Sequence, residues 1–79
     1  MIVVSVLVRP KPGILDPQGE VIARTLKDLN LPVERVIAGK VFDLHIDVND
    51  VREARAVATS AAEQTLANDL VEIFEVIVP

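Results

Sequence analysis

The chain has 79 residues, a formal net charge of −4 at pH 7 and a hydrophobic content of 51%. This length fits one small domain, residues 1–79, and the absence of cysteine excludes disulfides and thiolate metal sites. The negative charge and the lack of Trp and Tyr argue against nucleic-acid binding, which needs cations for phosphates and aromatic rings for bases. The hydrophobic content exceeds what one thin core needs, so we expect burial against another chain.

The first predicted element is a strand over residues 2–9, a nearly continuous run of β-branched and other apolar residues. Its two faces would carry Ile2, Val4, Val6 and Val8 on one side, and Val3, Ser5, Leu7 and Arg9 on the other. Pro and Gly residues at 10–13 end the strand in a loop. The apolar run is too short to span a bilayer and lacks the basic region and cleavage site of a signal peptide. We therefore expect a cytoplasmic protein that does not enter a membrane.

A helix start follows this loop, at Leu15-Asp16-Pro17-Gln18-Gly19. The carboxylate of Asp16 can accept hydrogen bonds from the first free backbone N–H groups. Pro17 suits the first helical position because it has no N–H to leave unpaired. Gly19 is unusual there, since glycine weakens a helix. Its presence in the first turn predicts the close approach of another backbone, in this chain or in a partner.

The first helix is predicted over residues 17–29, with an inner apolar stripe of Ile22, Leu26 and Leu29. Asn30 suits the left-handed position that ends a helix. A second β region is predicted over residues 33–48. In its latter half Phe42, Leu44, Ile46 and Val48 alternate with Val41, Asp43, His45 and Asp47, which indicates a half-buried strand. Gly39 interrupts this region and marks either a tight hairpin or a bend in one long strand.

The second helix is predicted to begin after Asp50, which forms a capping-box pattern with Glu53, and to run to about Ala67. The stripe that would face the sheet is Val51, Ala54, Ala58, Ala61 and Thr65, widened by Val57 and Leu66. The chain then returns as a strand over residues 70–78.

This order of elements, β-α-β-(β)-α-β, predicts an α+β fold related to the ferredoxin-like sandwich. Two helices would cover one face of an antiparallel sheet and leave the other face bare. The bare face would present Val3 and Leu7, together with either Val71, Ile73 and Ile77 or Phe74, Val76 and Val78. Such a surface is too apolar to stay in water. We therefore expect a homodimer or a higher even oligomer, formed through the sheet or by strand exchange.

Few residues of the chain have the potential for catalysis or metal binding. His45 is the only histidine, and Asp43 and Asp47 would share its strand face. Two-residue steps along a strand separate these side chains by about 6.5 to 7 Å. Because that is too far for easy shared chelation, we predict a solvated polar face and no metal site. No Gly-x-Ser-x-Gly, P-loop or dinucleotide pattern is present, so we predict no catalytic residue in this chain.

Three segments, in this order and spacing, resemble the PurS family, the small subunit of phosphoribosylformylglycinamidine (FGAM) synthase in purine biosynthesis. They are Lys11-Pro12-Gly13-Ile14-Leu15-Asp16-Pro17-Gln18-Gly19, Gly39-Lys40 and Leu66-Ala67-Asn68. The resemblance covers essentially the whole chain and departs at Asp69, where the family often has proline. The partner contacts that we predict within these segments are Leu15, Asp16, Pro17, Gln18, Gly19, Gly39, Lys40, Leu66, Ala67 and Asn68.

The resemblance implies a noncatalytic subunit that joins a synthetase subunit, PurL, to a glutaminase subunit, PurQ. The assembled C–N ligase would use ATP, Mg²⁺ and glutamine to amidate formylglycinamide ribonucleotide, while this chain would bind no cofactor. The main alternative is an ACT-like dimeric regulatory domain, which shares the element order but needs a glycine-bearing ligand loop that we do not find. A small acylphosphatase-like enzyme is disfavoured, because Arg9-Pro10-Lys11-Pro12 cannot supply a run of backbone donors.

Overall fold

The protein is described by a computed structural model that covers residues 1–79. The three strands form one antiparallel sheet in the order β2-β1-β3. An antiparallel sheet with two helices confirms the predicted α+β class. The elements are β1 (Ile2–Pro10), α1 (Pro17–Asp28), β2 (Lys40–Ile46), α2 (Val51–Ala61), a π-helical turn that extends α2 (Ala62–Leu66), and β3 (Glu72–Ile77).

The segment before β2, residues 33–39, forms neither helix nor strand, and we call it the arm. The second β region is therefore shorter than predicted, and no hairpin forms at Gly39. The extra strand given in parentheses in the predicted order β-α-β-(β)-α-β is absent, because the arm has no neighbouring strand of the same chain to pair with. Only the alternating half of the predicted region, from Lys40 to Ile46, pairs with β1.

The core lies between one face of the sheet and α2. Its centre is the inner face of β1, where Val4, Val6 and Val8 have no exposed surface. From the helix side the core receives small residues with equally little exposure, namely Ala54, Ala58 and Ala62. Alanine at these positions lets the α2 backbone come close to the sheet, and the dense contact that results stabilises the pair.

The stripe that α2 turns toward the sheet is narrower than predicted, because Val51 and Val57 are 40% and 44% exposed. It also departs from the prediction at its C-terminal end. Ala62 and Leu66 pack on the core, while Thr65 is exposed. The inward positions keep a spacing of four residues, and the wider π-helical turn continues that spacing. The turn is closed by a hydrogen bond from the Ala67 N–H to the Ala62 carbonyl, at 3.0 Å.

The other face of the sheet has no cover within the chain, as predicted. Val3 of β1 is 44% exposed, and Ile73 and Ile77 of β3 are 47% and 45% exposed. Of the two sets left open for the last strand, the one that includes Ile73 and Ile77 lies on this open face. The alternate residues Phe74, Val76 and Val78 pack on the core.

Helix α1 differs from the prediction because it packs against neither the sheet nor α2 to any comparable extent. Its apolar stripe is only partly covered, with Leu29 63% exposed, and the buried residues are Gly19 and Ala23. The molecule is consequently elongated, at 48 × 25 × 13 Å. Its radius of gyration is 15.6 Å, whereas a compact chain of this length would have about 12 Å. Asn30 ends the helix region with a φ of 62°, the left-handed conformation predicted for it.

Candidate functional site

The start of α1 is bonded to both the helix and the arm. One Asp16 carboxylate oxygen, Oδ1, accepts a hydrogen bond from the Gly19 N–H at 3.0 Å. The other, Oδ2, accepts one from the Ala38 N–H at 2.8 Å. The bond from Ala38, followed by that from Gly19, lowers the pKa of Asp16 below its usual value. Asp16 is thus the predicted helix cap and, in addition, the link between α1 and the arm.

Gly19 occupies a position that admits no side chain. A Cβ atom at this residue would overlap the Asp16 carboxylate and the carbonyl oxygen of Val36 in the arm. The predicted close approach of another backbone is confirmed, and that backbone belongs to the same chain. Glycine here allows α1 and the arm to lie against each other.

The turn at Gly39 and Lys40 joins the arm to the sheet. A Cβ atom at Gly39 would overlap the carbonyl oxygen of Val8, so glycine is needed where the arm meets β1. The Lys40 ammonium lies 3.5 Å from Glu72 Oε2. The other oxygen of this carboxylate, Oε1, accepts a hydrogen bond from the Asn68 N–H at 2.8 Å.

Glu72 therefore connects two of the three segments that sequence analysis singled out. Its pKa is lowered, first by the hydrogen bond from Asn68 and then by the charge of Lys40. Glu72 is not among the contact residues predicted from the sequence. The available signal was an acidic residue two positions before Phe74, on the same inward-facing side of β3, where an apolar residue is expected.

The other predicted contact residues fall into two groups. The first group is exposed to solvent, with Leu15 71% exposed, and its members are Leu15, Pro17, Gln18 and Asn68. Leu66 and Ala67 are half-buried and pack against the core. The three predicted segments thus lie along one continuous path, from the start of α1 through the arm to Lys40, Glu72 and Asn68.

The residues that could take part in catalysis or metal binding are not brought together. His45 is exposed on the open face, across from Val3 in the strand register. Asp43 on that face accepts a hydrogen bond from the Ser5 hydroxyl at 2.6 Å. No group of three or more His, Cys, Asp or Glu side chains is arranged to hold a metal ion. None of the helices has both the length and the apolar character needed to cross a membrane.

Comparison with known proteins gives consistent results across sequence and structure. The family model described as PurS, Phosphoribosylformylglycinamidine (FGAM) synthase, matches residues 3–79. The chain is 33% identical over 70 residues to the phosphoribosylformylglycinamidine synthase subunit PurS of Thermotoga maritima, over 87% of this chain and 85% of that protein.

Two solved structures resemble the fold closely. One is PurS of Methanocaldococcus jannaschii, one of the subunits of formylglycinamide ribonucleotide amidotransferase in the purine biosynthetic pathway. The TM-score is 0.86 at 26% identity, over 100% of this chain and 96% of that chain. The other is a chain in the structure of PurLQS from Thermotoga maritima, with a TM-score of 0.89 at 29% identity, over 99% of this chain and 96% of that one.

Proposed function

Because this chain belongs to the PurS family, we propose that it is the noncatalytic assembly subunit of an FGAM synthase complex. In this role it joins a PurL-type synthetase to a PurQ-type glutaminase, so that ammonia released from glutamine reaches the amidation site. The observation that carries the proposal is the family match over nearly the whole chain, together with the close likeness to a chain of the PurLQS structure. The alternative of an ACT-like regulatory domain gains no support from the comparisons.

The shape of the molecule suits a subunit that bridges others. The sheet and α2 form a packed base, and α1 with the arm extends away from it. The contacts of Asp16 and Gly19 hold α1 and the arm of this extension together. A part that must set the spacing between two active sites benefits from such a fixed projection. Residues 1–79 would work as one such domain, in the cytoplasm, where purine biosynthesis takes place.

The chemistry of the complex would reside in the other subunits. The amidation would use ATP and Mg²⁺ on the synthetase, and glutamine would be hydrolysed on the glutaminase. This chain would hold the two reactions in register and would bind none of these groups itself.

A homodimer or a higher even oligomer is the second part of the proposal. The open sheet face presents Val3, Ile73 and Ile77 to water, and Leu29 at the C-terminal cap of α1 is also exposed. An apolar surface of this kind is typical of an interface. A second copy could cover the sheet face, the apolar stripe of α1, or both. Sedimentation equilibrium at micromolar concentration tests this point, and a stable monomer of 8.6 kDa would contradict it.

Reconstitution with the matching synthetase and glutaminase tests the assembly role. We expect the chain alone to hydrolyse neither glutamine nor ATP. We expect glutamine-dependent turnover to require it, and ammonia-dependent turnover by the synthetase alone to depend on it much less. Full glutamine-dependent turnover by the two partners without this chain would contradict the proposal.

A further inference from the structure

A cleft of about 560 Å³ lies between α1, the arm and the end of β1. One wall is a single face of α1, formed by Glu20, Ala23, Arg24 and Lys27. These positions follow the i, i+3, i+4, i+7 spacing of neighbours on a helix surface. The opposite wall is the arm, and Lys11 closes the end near β1.

The charge of this cleft is opposite to that of the whole chain. The chain carries eight Lys and Arg against twelve Asp and Glu. The cleft is lined by five cations and three carboxylates, which makes it +2: Arg9, Lys11, Arg24, Lys27 and Arg35 against Asp16, Glu20 and Glu34. Only Arg9 among the five cations has an ion pair, to Glu75 at 3.5 Å. The other four have no carboxylate within ion-pairing distance.

The arm wall also has backbone groups without partners. The four consecutive N–H groups from Glu34 to Ile37 make no hydrogen bond within the chain. Apolar side chains accompany them in the lining, among them Ile14 and Ile37, which are 40% and 51% exposed. Cations and apolar side chains in one groove, beside a segment with unpaired backbone N–H groups, suit a peptide, because a peptide supplies charged side chains, apolar side chains and carbonyl acceptors at regular spacing.

We propose that this cleft is a docking site for an acidic peptide segment of a partner subunit, with carboxylates set between apolar residues. The partner's carboxylates lie against Lys11, Arg24, Lys27 and Arg35, and its backbone pairs with the arm. The proposal rests on the assembly function for the identity of the partner. Charge complementarity of this type speeds docking and selects against basic segments.

The test measures fluorescence anisotropy of a labelled peptide of alternating Glu and Val with the purified chain. A Lys and Val peptide of equal length is the comparison. We expect the acidic peptide to bind and the basic one not to bind. Binding should weaken as the salt concentration rises, because exposed charge pairs are screened. The double variant Arg24→Gln with Lys27→Gln should bind roughly fivefold more weakly, from the loss of two exposed pairs.

The matched control is Arg52→Gln with Arg55→Gln, which removes two cations at the same spacing from the exposed surface of α2. Its affinity should stay within about twofold of the parent. An equal loss in both double variants would overturn the proposal, as would equal binding of the two peptides. Full displacement by inorganic phosphate would overturn it in favour of a small-anion site. A change of oligomeric state in the Arg24 and Lys27 variant would overturn it in favour of a second copy as the occupant.

Failure of the cleft assignment can be distinguished from failure of the proposed assembly function. A chain that binds the peptide but is dispensable for glutamine-dependent turnover would contradict the assembly role and leave the cleft assignment intact. A chain that is required for turnover but ignores the peptide would contradict only the cleft assignment.

Discussion

Helices α1 and α2 are nearly equal in length, at 12 and 11 residues, and each begins at an aspartate that caps it. Their surroundings are nevertheless different. Helix α2 places Ala54 and Ala58 against the sheet with no exposure, whereas α1 leaves Ile22 of its apolar stripe 38% exposed and Leu29, the residue at its C-terminal cap, 63% exposed. The comparison shows that an amphipathic pattern and a good cap produce a helix but do not decide what the helix packs against.

The two caps differ in the same way. Asp50 accepts one hydrogen bond, from the Arg52 N–H at 2.9 Å, and acts only on its own helix. Asp16 divides its two oxygens between the Gly19 N–H of its helix and the Ala38 N–H of the arm. Helix α2 is held by burial against the sheet, whereas α1 is held to the arm by hydrogen bonds and a close backbone contact.

The largest expected effect is on the packed helix. Ala58→Leu places a larger side chain where no space exists, and overpacking of this kind costs about 1–3 kcal/mol. The free energy of unfolding, measured in urea at fixed protein concentration, should fall by that amount. The control is Ala56→Leu on the exposed side of α2, which should stay within about 0.5 kcal/mol of the parent. Equal effects of the two substitutions would show that α2 is not packed as described.

The next effect concerns the contact between α1 and the arm. Gly19→Val would overlap Val36 and Asp16, so we expect the arm to separate from α1 while the sheet and α2 stay folded. Association into the oligomer and the complex should weaken by roughly tenfold, within the range that overpacking produces. Sedimentation and glutamine-dependent turnover measure this. An unchanged complex would mean that the position of the arm does not matter for assembly.

The caps can be compared directly by amide hydrogen exchange. Asp16→Ala should speed exchange at Gly19 and Ala38, because both N–H groups lose their acceptor. Asp50→Ala should speed exchange at Arg52 and leave the arm unchanged. If Ala38 stays protected in Asp16→Ala, the arm is held by contacts other than this carboxylate.

The Asp16 carboxylate also predicts that the stability of the folded chain depends on pH in the acid range. The pKa of Asp16 is lower in the folded chain than its usual value, which applies to the unfolded chain. The carboxylate therefore contributes fully to stability at a pH above its pKa in the unfolded chain, and this contribution is lost as the pH falls through its pKa in the folded chain. The loss should therefore appear below about pH 4. Unfolding midpoints at pH 6 and pH 3 should differ more in the parent than in Asp16→Asn. An equal difference in the two proteins would contradict this assignment.

The smallest effect is expected on the open face. His45→Ala removes an exposed side chain that has no hydrogen-bond partner in the structure. Folding and complex activity should stay within a few-fold of the parent. A loss of roughly a hundredfold in turnover, about 2.7 kcal/mol, would show that this residue takes part in function.

Several features followed from local sequence alone, because their causes are local. The cap at Asp16, the left-handed Asn30 and the alternating strand before Asp47 each depend on a few neighbouring residues. The apolar content likewise indicated a bare sheet face, which the exposure of Ile73 and Ile77 confirms.

What only the tertiary structure decided depends on distant contacts. Glu72 of β3 meets Lys40 of β2, 32 residues earlier in the sequence, and so joins that residue to the local turn at Asn68. The arm stays unpaired because this chain has no strand beside it, and α1 is bonded through its cap to the arm and not packed on the sheet. Sequence periodicity predicts which face of a helix is apolar. Which surface that face meets is decided by long-range geometry, and within this chain neither the sheet nor α2 covers the apolar face of α1.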